Sequence, residues 1–351
     1  MATGSTDATT TEEADSDALA SLLDGDEPIT IIAYPAPRQI LAAATIVQES
    51  DAPVHLRVIG PSRPPIETDP ESTIATATGL VEAEVSLSPY TPLADVEAIG
   101  GNRSGLLADA IEAVRSVGSD PVPGIVATHA DLEEALDRSI RLSIKEDAQL
   151  PSPGSLHDRS ADERRSISSW LVASVLASED VGSVNNALQS ALAPTFCEAG
   201  PAPTAEGSVD ILSTVAEQEP GRVLASLIGG ESWDGLVEGY ETIVEPLESV
   251  VQSLPRGTGN EIITAEVESD PTIATARLWA GTNLEASYGV IIAGDEPTQM
   301  TLVANGERSA SAVLETVANR REGTSWGDPF VATAILPERP EAPTQMIERA
   351  L

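Results

Sequence analysis

Residues 28–59 read as strand, helix, strand, and no other stretch limits the fold of this chain as tightly. Pro28-Ile-Thr-Ile-Ile-Ala33 is a β-branched run with the length of a buried strand, Arg38 to Gln48 carries Ala, Leu and Gln with helical apolar spacing, and Val54 to Ile59 supplies a second strand. A crossover of this kind joins parallel neighbours in one sheet and leaves ligand sites at the carboxyl ends of its strands. The expected class is α/β, with a parallel sheet near the N-terminus.

The alternation weakens after Gly60, where Pro61, Pro64, Pro65 and Pro70 punctuate a loop. Ser72–Gly79 and Glu84–Leu87 then predict short strands, Gly105–Val117 a helix, Gly124–Ala127 a short strand and Asp131–Arg138 a short helix. Past the irregular Pro151-Ser-Pro-Gly154, Ser160 and Glu163 stand in capping-box register before a helix that runs to about Ala177. Further helices are expected over Asn185–Leu192, Val209–Glu217 and Leu236–Leu254. Pro255-Arg-Gly-Thr-Gly-Asn260 reads as a linker. Beyond it, Ile262–Val267, Tyr288–Ala293, Met300–Ala304 and Phe330–Leu336 predict strands, with helices over Pro271–Gly281 and Ala310–Arg320. The expected organisation is an acidic mobile tail over 1–26 with a short helix near Ala18–Leu23, an α/β domain over 27–150, a helical middle over 151–254 and a smaller α/β domain over 261–351.

The 351 residues include 56 acids against 19 basic groups, a net charge of -37, and Lys145 is the only lysine. A disordered chain would be short of apolar residues, but here 41% are hydrophobic and the mean hydropathy is -0.03, enough for a packed core under an acidic skin. Such a surface is tolerable where salt screens it, since the Debye length shrinks to about 3 Å at molar ionic strength. We read the charge as adaptation to a saline cytoplasm, so it says little about the binding partner. The single cysteine, Cys197, excludes an intramolecular disulfide and a cysteine-based zinc site, agrees with a reducing interior, and reads as a small buried hydrophobe. The longest largely apolar run, Ile40–Val47, falls far short of the roughly 18 residues that span a bilayer, and no signal-peptide pattern opens the chain. A cytoplasmic protein without a membrane partner is expected.

Common catalytic signatures are absent. The first strand-to-helix turn, Ala33-Tyr-Pro-Ala-Pro-Arg-Gln39, has no glycine, and its two prolines remove two amides that could cradle a phosphate. His55, His129 and His157 lie far apart; His55 reads as a strand residue and His157 as a loop residue ahead of a helix.

The segment Ile29 to Val47, followed by Val54-His-Leu-Arg-Val58, resembles the opening of DHH-family phosphoesterases, in particular archaeal RecJ-like exonuclease homologues. In that family the strand enters a Ser-His-x-Asp-Ala-Asp-Gly turn. Arg308-Ser309 stands where the Arg-Ser pair of the DHH-associated domain would, and Gly323-Thr-Ser-Trp-Gly-Asp-Pro-Phe-Val-Ala332 is similar to its Gly-Gly-x-Gly-His-Pro-x-x-Ala segment. Val209 to Gly221 looks like the middle of haloarchaeal proteins labelled RecJ-like. The resemblance implies a DHH-like parallel-sheet domain, a helical middle and a DHH-associated α/β domain, with work around single-stranded nucleic acid in replication, repair or RNA processing.

The motif positions themselves depart from the family. Tyr34 replaces the histidine, Ala36 and Arg38 the two aspartates and Gln39 the glycine; no Asp-His-His triplet exists, and Asp328 stands where the last histidine would. A two-metal centre needs several carboxylate and imidazole ligands. Three readings stay open. The turn only ends a strand and starts a helix on a catalytically degenerate scaffold or accessory subunit that needs no cofactor; Arg38, Arg308, Ser309 and the Gly323 to Gly327 loop keep an anion site for nucleic-acid backbone or nucleotide; or unrelated carboxylates support an active Mn²⁺- or Mg²⁺-dependent exonuclease or small phosphoesterase. The eukaryotic replication-fork helicase offers a family precedent for the scaffold, a RecJ-like subunit without its nuclease centre.

The charge arithmetic generates one prediction. The Debye length grows to about 30 Å at 0.01 M, so carboxylate repulsion should lower the melting temperature steeply between molar and millimolar KCl. A cooperative melting temperature that does not move over that range would refute the screening argument.

Overall fold

The computed structural model describes residues 18–59, 72–76, 83–87, 92–97, 105–122, 124–137, 154–156, 158–176, 192–230, 232–255, 262–267, 275–276, 279, 287–304, 308–327 and 330–351. The linker at 256–260 and the helix expected over Asn185–Leu192 lie outside them, except for Leu192. Of the helix expected over Pro271–Gly281, residues 275, 276 and 279 are described, and they are helical.

Strand β1 (Ile29–Ala33), helix α2 (Pro37–Glu49) and strand β2 (Val54–Val58) form where the pattern places them. The two strands pair in parallel, from Ile29 opposite Val54 to Ala33 opposite Val58. Pro37 opens α2, where its fixed φ suits the first turn and its missing N–H would have no helical partner. Strands β3 (Thr73–Ala75) and β4 (Val85–Ser86) complete a parallel sheet of order β2-β1-β3-β4. Ile29, Ile31, Ile32 and Ala33 of β1 are buried, whereas β2 alternates half-buried Val54, Leu56 and Val58 with exposed His55 and Arg57, as an edge strand should.

Helix α1 (residues 18–23) already belongs to the core. Leu19 and Leu23 are buried against β1 and α2, so the tail expected through residue 26 gives way to packed structure by residue 18. Around the same core lie α3 (Pro92–Glu97), α4 (Leu106–Ser116), α7 (Ala205–Gln218), α8 (Pro220–Gly229) and α9 (Asp234–Ser253). Ile211, Leu212, Val215, Val223, Leu227 and Leu236 share it with Ile31, Leu41 and Ile74. The later half of the helical middle is therefore continuous with the first sheet, and residue 150 does not divide two cores. Helix α8 is not among the predicted helices; Pro220 occupies its first turn.

A smaller apolar cluster joins Ile125 and Ala127 to α5 (Leu132–Asp137), Leu156 and α6 (Ala161–Leu176). The capping box of α6 forms: the Glu163 N–H donates to Ser160 Oγ over 3.3 Å, and the Ser160 N–H donates to Glu163 Oε2 over 2.8 Å. Among the described residues, the strand expected at Gly124–Ala127 joins no sheet. Gly124 N–H donates to the Leu192 carbonyl (3.0 Å), the Gly124 carbonyl accepts from Ser168 Oγ (2.9 Å), and Ala127 is tied to Thr204. Short apolar runs do not by themselves separate a strand from any other buried segment. Cys197 is half-buried rather than buried, and its thiol is pushed up to about 11, chiefly by desolvation, with Glu206 acting in the same direction.

The second α/β unit holds β5 (Ile262–Val267), β6 (Tyr288–Ala293), β7 (Thr298–Ala304), α10 (Ala310–Arg320), β8 (Thr324–Gly327), β9 (Val331–Leu336) and α11 (Pro343–Glu348). Its sheet order is β5-β6-β7-β9-β8; β5 and β6 are parallel and the other pairs antiparallel. Tyr288, Val290 and Ile292 of β6 face α10 together with Met300, Leu302, Ala332 and Ala334, while Ile291, Val303 and Val331 point to the other face. Both faces are covered. No described helix is long and apolar enough to cross a membrane.

Thr204 joins the satellite cluster to the main core through one buried hydroxyl. It caps α7 by accepting from Gly207 N–H (3.1 Å), accepts from Ala127 N–H (3.2 Å) and donates to the Ala127 carbonyl (3.0 Å). Gly207 is required beneath it, since a Cβ there would meet the Ala127 carbonyl oxygen. Thr204→Val keeps the shape and strands these backbone groups, so we expect a loss of about 2–4 kcal/mol in denaturant unfolding, against under about 1 kcal/mol for Thr204→Ser.

Candidate functional site

In a parallel sheet of order β2-β1-β3-β4 the chain leaves β1 toward β2 on one side and returns to β3 on the other, so a crevice opens beyond the carboxyl ends of β1 and β3. Tyr34, Ala36 and Arg38 of the first motif project from this end of the fold because the turn follows β1 directly and α2 begins at Pro37.

The turn is occupied by apolar packing. Tyr34 is 2% exposed and shares a cluster with Leu254, Ala265, Ala276, Trp279, Ile291, Val303 and Val331, with Ala36 against it. Trp279 is fully buried, and its indole N–H donates to the Pro255 carbonyl over 3.0 Å. The end of β1 therefore meets the face of the second sheet turned away from α10. Polar groups at the crevice come from Gln39 and Thr76, both buried, with the Thr76 hydroxyl 3.5 Å from Gln39 Oε1. Arg38 is exposed on the first turn of α2.

The C-terminal candidates take structural positions. Arg308 donates from its backbone N–H to the Tyr288 hydroxyl (3.2 Å) and from its guanidinium to the Ala350 carbonyl (3.3 Å). Ser309 caps α10 by accepting from Ala312 N–H. The Gly323 to Gly327 segment, expected as a loop, is mostly the edge strand β8, paired antiparallel with β9 from Thr324 opposite Ile335 to Gly327 opposite Ala332. Its glycines answer to backbone crowding: a Cβ on Gly323 would meet the Ile335 carbonyl oxygen, and one on Gly327, whose φ is +143°, would meet Ala332. Alternate amides of this edge strand face β9, and the others point away from it. Asp328 and His157 lie outside the described residues.

Sequence reasoning missed two groupings. One is the apolar cluster itself, whose members come from opposite ends of the chain. The other gathers His129, Glu134 and Glu241, with ligand atoms all within 4.8 Å of one another. A histidine five residues before a glutamate across a helix start was the local part of that signal; Glu241 is 112 positions further on than His129.

No protein-family model matches the chain, and no curated protein matches it. Solved structures similar to it include RecJ in complex with Mg²⁺ from Thermus thermophilus, with 13% identity and a TM-score of 0.47 over 97% of this chain and 51% of that one. The chain thus spans about half the length of that protein. Exonuclease RecJ bound to manganese has 12% identity and a TM-score of 0.47, covering 97% and 92% of the two chains. CDC45 from Entamoeba histolytica has 10% identity and a TM-score of 0.49, covering 97% and 98%.

The cluster around Tyr34 and Trp279 generates a stability prediction. Trp279→Ala should cost about 3–5 kcal/mol and split a single calorimetric transition in molar KCl into two, one per sheet, whereas Trp279→Phe should retain one transition. A single undisplaced transition for Trp279→Ala would show that the cluster does not couple the sheets.

Proposed function

We propose that this chain is a RecJ-like, DHH-related protein with a degenerate catalytic centre, acting as a nucleic-acid-associated scaffold or accessory subunit in replication, repair or RNA processing within the cytoplasm of a salt-adapted archaeon. The sequence resemblance over both α/β units supplies the family. One observation supports the loss of catalysis: the end of β1 delivers Tyr34 and Ala36 into an apolar cluster with Trp279. A pair of divalent ions does not fit those residues. Such ions need several anionic or imidazole ligands, and residues 33–39 offer a phenol, a methyl group, an amide and the guanidinium of Arg38 instead.

The anion site we propose for a nucleic-acid strand is smaller than the sequence implies and centres on exposed Arg38. A guanidinium can hold a phosphate directly, with no metal between them. Arg308, Ser309, Gly323 and Gly327 instead serve the second α/β unit through the hydrogen bonds and close approaches described above.

The reading predicts that purified protein releases no nucleotides from single-stranded DNA or RNA with Mn²⁺ or Mg²⁺, and that Arg38→Ala reduces the salt slope of oligonucleotide binding by about one without moving the melting temperature. Manganese-dependent nucleotide release that vanishes when a carboxylate near the β1 turn is removed would overturn it in favour of an active exonuclease. Saturable binding of mononucleotides with none of oligonucleotides would favour a nucleotide-binding module.

A further inference from the structure

His129 follows the buried segment 125–127, Glu134 lies in α5 and Glu241 in α9, so three elements from two parts of the chain bring one imidazole and two carboxylates together. His129 is 7% exposed. Its Nε2 lies 3.0 Å from Glu241 Oε1, and its Nδ1 lies 2.9 Å from the Thr128 hydroxyl. Glu134 is exposed and Glu241 half-buried, so the group opens to solvent on one side.

A His129–Glu241 hydrogen bond alone would account for that pair, but it leaves Glu134 unexplained. Two carboxylates drawn to within 4.8 Å of the same ring and of each other repel, and among the described residues neither forms an ion pair with an arginine or lysine. A cation between the three donors would remove that repulsion. Ligands held at about 2.0–2.2 Å from a single ion lie roughly 3–4 Å apart, so a group already within 4.8 Å needs little movement to close on one.

We propose that His129, Glu134 and Glu241 bind one borderline divalent transition-metal ion, with Zn²⁺ the leading candidate, and that solvent completes its coordination. The imidazole excludes a site built for Mg²⁺ or Ca²⁺, whose preferred ligands are all oxygen. The Thr128 hydroxyl, 2.9 Å from Nδ1, can either donate or accept, so when an ion takes the Nε2 lone pair it can accept from Nδ1–H, the outer-shell arrangement that metal-bound histidines use. An ion held there would tie α5 to α9. The site uses no residue of the β1 turn, so it stands or falls separately from the proposal on catalysis.

The test is titration of the full chain, stripped with chelator, against Zn²⁺ in competition with a chromophoric chelator. Molar KCl swamps the acidic skin, and a Cys197→Ser background removes the only thiol. The expected result is one Zn²⁺ per chain at micromolar affinity or tighter, weakened at least about tenfold by Glu134→Gln and by Glu241→Gln. Glu134→Gln sits on the exposed side and keeps the test valid if His129→Ala fails to fold. Co²⁺ should bind in place of Zn²⁺ with a visible absorption band that Glu134→Gln alters. Zn²⁺ binding with the same affinity in wild type and both glutamine variants would overturn the proposal, as would Ca²⁺ binding to the site as tightly as Zn²⁺.

Discussion

Burial of Tyr34 and Trp279 in one apolar cluster is the contact through which two sheets with no strand in common become one folded body. The second sheet needs it. Its strands alternate, so once α10 covers Tyr288, Val290 and Leu302, the opposite set of Ile291, Val303 and Val331 must find a cover of its own. The turn after β1 and the segment around residue 279 provide that cover. Each aromatic ring removes about 150–250 Å² from water, which makes this contact comparable to a piece of domain core rather than to a transient interface.

That requirement conflicts with metal chemistry at the same place. A carboxylate at position 36 would have to be desolvated against the cluster, and nothing in residues 33–39 other than Arg38 could compensate its charge. The residues at the carboxyl end of β1 satisfy packing. The polar groups that remain there, Gln39 and Thr76, are neutral and lie close to one another.

Local signals made the elements legible. Short apolar runs located β6, β7 and β9, α10 spans the residues predicted for it, and the Ser160 to Glu163 box is realised in its hydrogen bonds. Errors arose where one residue type serves two physical ends. Gly323 and Gly327 suggested a loop, yet they permit close backbone approach in an edge strand. The site was less legible than the fold. Motif positions 34, 36 and 38 could be placed after β1 from order alone, but their surroundings come from residues more than two hundred positions away, and no local pattern encodes such a meeting.

The His129 group obeys the same logic in reverse. Its segment is held by Thr204, a residue that belongs to the cap of α7, and α7 packs in the main core beside α9, which carries Glu241. The position of the imidazole is therefore set by the core and not by its own loop. A polar group fixed in this way can be held close to a carboxylate without local flexibility absorbing the cost, and such preorganisation is what a ligand set requires before an ion arrives. At the end of β1 the core imposes apolar neighbours on the motif positions; at His129 it imposes carboxylates. Chemistry in this fold is accordingly to be sought where the helical middle meets the satellite cluster, because there the packing brings charged donors together.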